Sequence, residues 1–275
     1  MIKLVTDSSA DMPKELIEKH GISVVPLTIH IDGKDYLEGV DLQPQEFALK
    51  MLSSKELPKT SQPSPQTFAD LFKALSDKGH ILCLTISSGL SGTYQSACIG
   101  RDMSGAYVTV FDTLAGSLAH GLQLIEAAKL IEQGFSIDKI IEFLKDYCKR
   151  SNILILLNTL ENIVKGGRLS KFQGSVAKLL DIKVILHNVE GKVEILEKVR
   201  GRKKFLSRAI EIIGEKKKDF RDTVFAITHI DNLEDARFLR DEIMKRYKPK
   251  DVIINYMGAT MGTYAGKGGM IVSFY

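Results

Sequence analysis

Seven consecutive residues, Ser87-Ser88-Gly89-Leu90-Ser91-Gly92-Thr93, combine four hydroxyls with two glycines. Such a stretch suits an anion, because hydroxyls supply neutral donors and glycines let a ligand approach the backbone N–H groups. The preceding run, 81–86 (ILCLTI), is apolar and partly β-branched, which reads as a buried strand. Helical sequence follows from Tyr94. A strand therefore delivers a small-residue turn that opens a helix, whose first N–H groups are unpaired and carry partial positive charge. Capping alone also favours Ser or Thr here. A cap needs one hydroxyl, and this turn carries more than a cap requires.

Three further stretches present polar side chains in defined settings. Asp7, Ser8 and Ser9 follow an apolar strand at 2–5 and precede a helix that starts around Pro13; they suit either a ligand or a cap, and capping is the favoured reading. The segment 57–65 (LPKTSQPSP) has prolines at 58, 63 and 65, which forbid helix and keep the backbone extended. Ser64 caps the helix expected over 65–78, leaving Thr60, Ser61 and Gln62 on a stiff strand with no capping task. The tail 258–269 (GATMGTYAGKGG) reads as a glycine-rich loop with Thr263 and Tyr264 at its centre. Its glycines permit close approach either to a ligand or to a packed strand with Tyr264 in the core.

The elements that must carry these residues alternate in the first half. After 81–97 come a strand at 107–111, Asp112-Thr113, a helix over 115–133 with Leu118, Leu122 and Ile125 on one face, and an amphipathic helix over 137–150. Alternation of this kind predicts a parallel sheet covered by helices on both faces, with ligands beyond the carboxyl ends of the strands. Residues 22–31 read as one strand, turned at Asp32-Gly33 into 34–37, with a helix over 44–52. In the second half, strands are expected at 153–157, 183–188, 192–199, 224–229, 252–256 and 270–274, and helices at 172–180, 203–217 and 233–247. A short helix within 158–171 ends at Gly166-Gly167, and Arg168 emerges just beyond it, exposed. Hairpins mixed with crossovers predict a mixed sheet. The fold class is α/β with two domains: an N-terminal α/β/α parallel-sheet domain, 1–152, and a C-terminal mixed-sheet domain, 153–275.

Composition excludes several functions. The 275 residues carry 38 basic and 34 acidic side chains, a net +4 too balanced to argue for nucleic acid. The densest basic cluster, Arg200, Arg202, Lys203, Lys204 and then 216–218, reads as a solvated helix face. Three cysteines with no paired spacing argue against a disulfide framework or zinc site and for a reducing, cytoplasmic compartment. The N-terminus turns polar by residue 6, so no signal peptide is expected, and no run approaches the ~18 apolar residues of a transmembrane segment. The tail is no phosphate loop: Gly262 to Gly266 is one residue short, and Lys267 is followed by Gly268 rather than Ser or Thr. Residues 89–92 are not the nucleophile elbow of hydrolases, and the sequence assigns no histidine as base. His229-Ile230-Asp231 closes a strand and no zinc-like cluster exists, so no cofactor and no metal are expected. A Ser/Thr-loop enzyme, hydrolase or phosphotransferase, stands as the alternative function.

Several segments in order, VTDSSADMP at 5–13, TSQPSP at 60–65, ISSGLSGTYQSA at 86–97, DTLAGSLAHGL at 112–122, GGRLSK at 166–171 and the glycine-rich tail, make the chain resemble the DegV family of bacterial fatty-acid-binding proteins from end to end. The resemblance implies a long-chain fatty acid buried between two α/β domains, with no catalysis by the chain itself. It implies that Thr60 and Ser91 bind the carboxylate; Ser61, Ser88, Gly92, Thr263 and Tyr264, from the same polar segments and the tail, are the further fatty-acid-binding candidates. It further implies likeness to the lipid-carrying subunit of a two-component fatty acid kinase, whose separate ATP-binding subunit phosphorylates the carboxylate. Arg168 matches an arginine that meets that partner, and Arg200 and Arg202 are further partner-binding candidates. Transient contact with a membrane surface fits such a carrier. One departure stands out: Tyr264 occupies a tail position where the family often has histidine, keeping a donor but no positive charge. Burying about fifteen methylenes is worth roughly 12 kcal/mol at about 0.8 each, so few polar contacts are needed for affinity.

Overall fold

A computed structural model describes residues 2–169 and 182–275. The helix expected over 172–180, with Ser170 and Lys171 of the GGRLSK segment, lies outside the described residues. Strands in the first half are β1 (Ile2–Asp7), β2 (Ser23–Val25), β3 (Thr28–Ile31), β4 (Lys34–Leu37), β5 (Lys59–Ser61), β6 (His80–Thr85) and β7 (Val108–Asp112). Those in the second half are β8 (Asn152–Leu157), β9 (Ile182–Val189), β10 (Lys192–Arg200), β11 (Val224–His229), β12 (Asp251–Tyr256) and β13 (Met270–Phe274). They form a parallel sheet of order β2-β1-β6-β7, a mixed sheet of order β10-β9-β8-β13-β11-β12, and a small antiparallel sheet of order β4-β3-β5.

Burial on both faces explains the continuous apolar strands. In β6, Ile81 and Cys83 pack with Phe68, Phe72 and Ala97 of the helices on one face. Leu82 and Leu84 pack with Leu122, Ile140 and Leu144 on the other. In β8, Leu154 and Leu156 meet the helices Arg202–Lys216 and Leu233–Tyr247, while Ile153, Ile155 and Leu157 face the opposite side. That opposite side of the mixed sheet looks toward the turns of the parallel sheet.

Three elements depart from the sequence expectations. The single strand expected over 22–31 is two strands in two sheets. Pro26 interrupts it, having no N–H for a ladder, and the next N–H, of Leu27, donates to Ser8 Oγ at 3.0 Å. The hairpin at Asp32-Gly33 forms as expected, both residues at positive φ (48° and 77°), as a tight two-residue turn requires. The helix Leu118–Glu132 has more than one buried face, because it lies between the parallel and mixed sheets; even His120 and Gln123 are buried. The tail is not a loop: Ala259–Ala265 is helical, with Gly258 at its N-cap. Local sequence hides this helix, because the acceptors at its start, Asp11 for the Gly258 N–H and Glu38 for the Thr260 N–H, are far away in the chain.

Candidate functional site

Five polar side chains, Thr60, Ser91, Arg168, Thr260 and Tyr264, reach one cavity from four separate segments. Thr60 comes from β5, where pairing of Thr60 with Ile29 turns its side chain toward the core. Ser91 comes from the turn after β6. Tyr264 comes from the tail helix Ala259–Ala265, and Arg168 from just beyond the helix Glu161–Lys165. Thr60 Oγ1 and Tyr264 Oη are 2.6 Å apart across 204 residues of sequence. The Arg168 guanidinium lies over the Tyr264 ring at 4.9 Å from its centre, a cation–π arrangement. Arg168 Nη1 also donates to the Gly166 carbonyl at 2.6 Å and Nε to the Leu90 carbonyl at 3.3 Å. Gly166 is glycine for a steric reason, since a Cβ there would lie 2.4 Å from the Tyr264 ring.

Apolar side chains make the rest of the wall: Leu27, Ile86 and Leu90 from one side, Ile155, Leu157 and Ile271 of the mixed sheet from the other. The cavity is narrow, about 50 Å³. Apolar walls with a few convergent polar groups are the usual make-up of a small-molecule site. This one has a hydroxyl-rich end beside a guanidinium, an arrangement fitted to an amphipathic molecule with an anionic head.

The turn that carries Ser91 is held from outside the cavity. Asp7 Oδ2 accepts from the Ile86 N–H at 2.8 Å, Asp112 Oδ1 accepts from the N–H groups of Ser88 (3.2 Å) and Leu114 (3.0 Å), and Ser87 Oγ donates to the Gly191 carbonyl at 2.7 Å. Ser91 Oγ accepts from the Thr93 N–H at 3.3 Å just ahead of the helix Thr93–Ser104, whose N-cap is Gly92, while also lining the cavity.

The remaining candidates lie elsewhere. Ser61 is exposed, because neighbouring side chains on a strand alternate; its Oγ meets His30 Nε2 at 2.7 Å on the outer face of the small sheet. Ser88 is exposed outside the cavity. Gly92 backs onto the Gln62 side chain, where a Cβ would lie 2.0 Å from Gln62 Oε1. Thr263 is buried and donates to the Ala259 carbonyl within the tail helix at 2.8 Å. Arg200 is exposed, and Arg202 pairs with Glu234 and Asp235 on the far side of the mixed sheet. Arg168, expected to be exposed, is half-buried against the cavity, because the turn at Gly166-Gly167 folds it back over Tyr264.

Two buried acids beside the site were not singled out from sequence. Asp11 and Glu38 are each 6% exposed. Burial pushes both carboxyl groups above their ordinary values, and at Asp11 the neighbouring Glu38 adds to the rise. No sequence pattern marks them, since their partners are distant in the chain. Among the described residues no group of His, Cys, Asp or Glu could hold a metal, and no helix is long and apolar enough to cross a membrane.

A family profile described as an uncharacterised protein of the DegV family matches residues 1–275. The chain belongs to the DegV family. A DegV domain-containing protein of Caldanaerobacter subterraneus is 34% identical over 267 residues, 96% of this chain and 95% of that one. Among solved structures, a DegV family protein from Thermus thermophilus, described by its fatty acid binding, superposes with a TM-score of 0.94 at 30% identity, covering 100% of this chain and 99% of that one. DegV of Bacillus subtilis, described as a fatty acid binding protein, gives a TM-score of 0.90 at 32% identity over 99% and 98% of the two chains.

Proposed function

We propose that this chain binds a long-chain fatty acid. Its carboxylate sits among Thr60, Ser91 and Tyr264 beside Arg168, and its acyl chain runs along the walls made by Ile86, Ile155, Leu157 and Ile271. Residues 1–152 and 153–275 act in this reading as two domains with the ligand between them. The observation that carries the proposal is that Thr60, Ser91, Tyr264 and Arg168 line one apolar cavity, with Tyr264 touching both Thr60 and Arg168. It is supported by fatty acid binding in relatives of the same fold. Leu90 and Met261 stand half-buried in the wall, and their pliable side chains let the narrow cavity widen around a chain.

Tyr264 and Thr60 bond each other, so an arriving carboxylate exchanges that bond for two of its own with little rearrangement. Neutral hydroxyls hold a carboxylate that must later be released as an acyl phosphate. In this reading a separate ATP-binding kinase subunit supplies the phosphoryl group, docking where Arg168 reaches the surface. The test is denaturing extraction and mass spectrometry of purified protein, expected to release a long-chain fatty acid. Acyl-phosphate formation should then need ATP and a kinase subunit together.

A second reading has one observation in its favour. Ser61 Oγ, His30 and Asp35 follow each other in the order of a serine hydrolase triad: Ser61 Oγ lies 2.7 Å from His30 Nε2, and Asp35 meets His30 Nδ1. They sit on the exposed face of the small sheet, away from the apolar cavity. Turnover of a model ester that is lost in Ser61→Ala would favour the hydrolase; no turnover in wild type removes it.

A further inference from the structure

The tail helix Ala259–Ala265 has seven residues and brings Thr260, Met261, Tyr264 and Ala265 to the cavity wall. A helix this short has little stability of its own, so whatever holds its ends decides where its side chains point. Its first N–H groups are held by two buried carboxylates. Asp11 Oδ1 accepts from the Gly258 N–H at 2.8 Å, and Glu38 Oε1 from the Thr260 N–H at 2.7 Å. Glu38 Oε2 accepts from Thr260 Oγ1 (2.6 Å) and Ser8 Oγ (2.5 Å), and Asp11 Oδ2 from Ser117 Oγ (2.5 Å). Gly258 is glycine because a Cβ would lie 2.5 Å from Asp11 Oδ1 and 2.6 Å from Glu38 Oε1.

Glu38 also holds Leu27, a second residue of the cavity wall. Its own N–H donates to the Leu27 carbonyl at 3.0 Å, and Ser8 Oγ, which it orients, accepts from the Leu27 N–H at 3.0 Å. Leu27 and Thr260 both line the cavity. One side chain thus fixes two wall residues contributed by distant parts of the chain. Two acids buried side by side are costly to ionise, and capping a seven-residue helix alone does not call for a pair of them.

We propose that Glu38, with Asp11 beside it, is a positioning residue for the ligand site: it sets the tail helix so that Tyr264 Oη reaches Thr60 and the ligand head group. This rests on the fatty-acid reading above. Glu38 touches no ligand and acts through Tyr264, which makes it testable by a double-mutant cycle.

The experiment measures palmitate affinity for delipidated wild type, Glu38→Ala, Glu38→Gln, Tyr264→Phe and Glu38→Ala/Tyr264→Phe. Circular dichroism verifies folding, and amide hydrogen exchange is followed over 259–265. Glu38→Ala should weaken palmitate about tenfold, the size of one lost bond to a charged acceptor. Glu38→Gln, which keeps an acceptor for the Thr260 N–H, should recover part of that loss. In the Tyr264→Phe background the effect of Glu38→Ala should shrink to about threefold or less. Equal factors in both backgrounds would overturn the proposal. Should Glu38→Ala not fold, Glu38→Gln alone must show faster exchange at 259–265, and unchanged exchange there would likewise overturn it. Wild type that binds no palmitate defeats the fatty-acid reading instead, while the exchange data still decide whether Glu38 holds the helix.

Discussion

The turn after β1 (Asp7, Ser8, Ser9) and the turn after β6 (87–93) leave adjacent strands at the same edge of the parallel sheet, and both are rich in serine. In the first, Ser9 Oγ donates to Asp7 Oδ1 at 2.5 Å, Ser8 Oγ donates to Glu38, and Asp11 takes Ser117 and Gly258. Its hydroxyls are spent on buried acid side chains and are not offered to a ligand head group. In the second, the acids stand behind the turn: Asp7 and Asp112 hold backbone N–H groups, and Ser91 lines the same apolar cavity as Thr60 and Arg168. Similar local sequences thus serve as a brace and as a ligand site, and the difference lies in which distant partners the fold brings up.

Removing both hydroxyls on the ligand side should break that contrast most strongly. Thr60→Val/Ser91→Ala is expected to weaken fatty acid binding by about a hundredfold or more, from two bonds to a charged group at roughly 1.5–3 kcal/mol each. Equilibrium binding of palmitate to delipidated protein measures it, and Ser88→Ala and Ser61→Ala should stay within about twofold as surface controls. Arg168→Ala should cost about tenfold in the same assay, because a half-buried guanidinium beside the head group supplies its one nearby positive charge among the cavity-lining residues described. Unchanged affinity with slower phosphorylation by a kinase subunit would instead assign Arg168 wholly to the partner.

On the bracing side the expected effects are in stability. Ser9→Ala removes a donor from buried Asp7 and should cost about 1–3 kcal/mol in denaturant unfolding while leaving palmitate affinity within about twofold. The acids at Asp11 and Glu38 give a pH signature. Their carboxyl groups are raised by burial, so the folded chain keeps these protons to higher pH than the unfolded chain does. That contribution to stability is full below the ordinary carboxylate values near 4 and is lost as pH rises through the raised ones. Between about pH 5 and about pH 8, Tm of wild type should therefore fall more steeply than Tm of Glu38→Gln; a steeper fall in the variant would contradict the assignment. The smallest effect concerns thiols. Burial pushes the Cys148 thiol up to about 12 and Cys83 higher than its ordinary value, so both should resist iodoacetamide in the folded protein and react after unfolding.

Much of this architecture is legible in the sequence because its signals are local. The runs at β6 and β8, the Asp32-Gly33 turn and the strand–helix alternation announce a parallel sheet followed by a mixed one. Thr60 and Ser91 stand out because proline stiffness and a helix start frame them. What stays hidden depends on long-range partners. The direction of Ser61 follows from pairing of β5 with β3, which a proline-rich segment does not advertise. The tail helix looks like loop because its glycines dominate, and Glu38, more than 200 residues away, completes its start. The position of Arg168 over Tyr264 depends on a turn whose glycine is chosen to clear an aromatic ring from the tail. Arg200 and Arg202 are adjacent to Arg168 only in chemistry.

The most direct test of the contrast between the two turns is a calorimetric titration of palmitate into delipidated Ser91→Ala and Ser9→Ala, run beside wild type. The account predicts affinity about tenfold or more below wild type for Ser91→Ala and affinity equal to wild type for the less stable Ser9→Ala. Equal affinities for wild type and Ser91→Ala, with a loss only in Ser9→Ala, would contradict it.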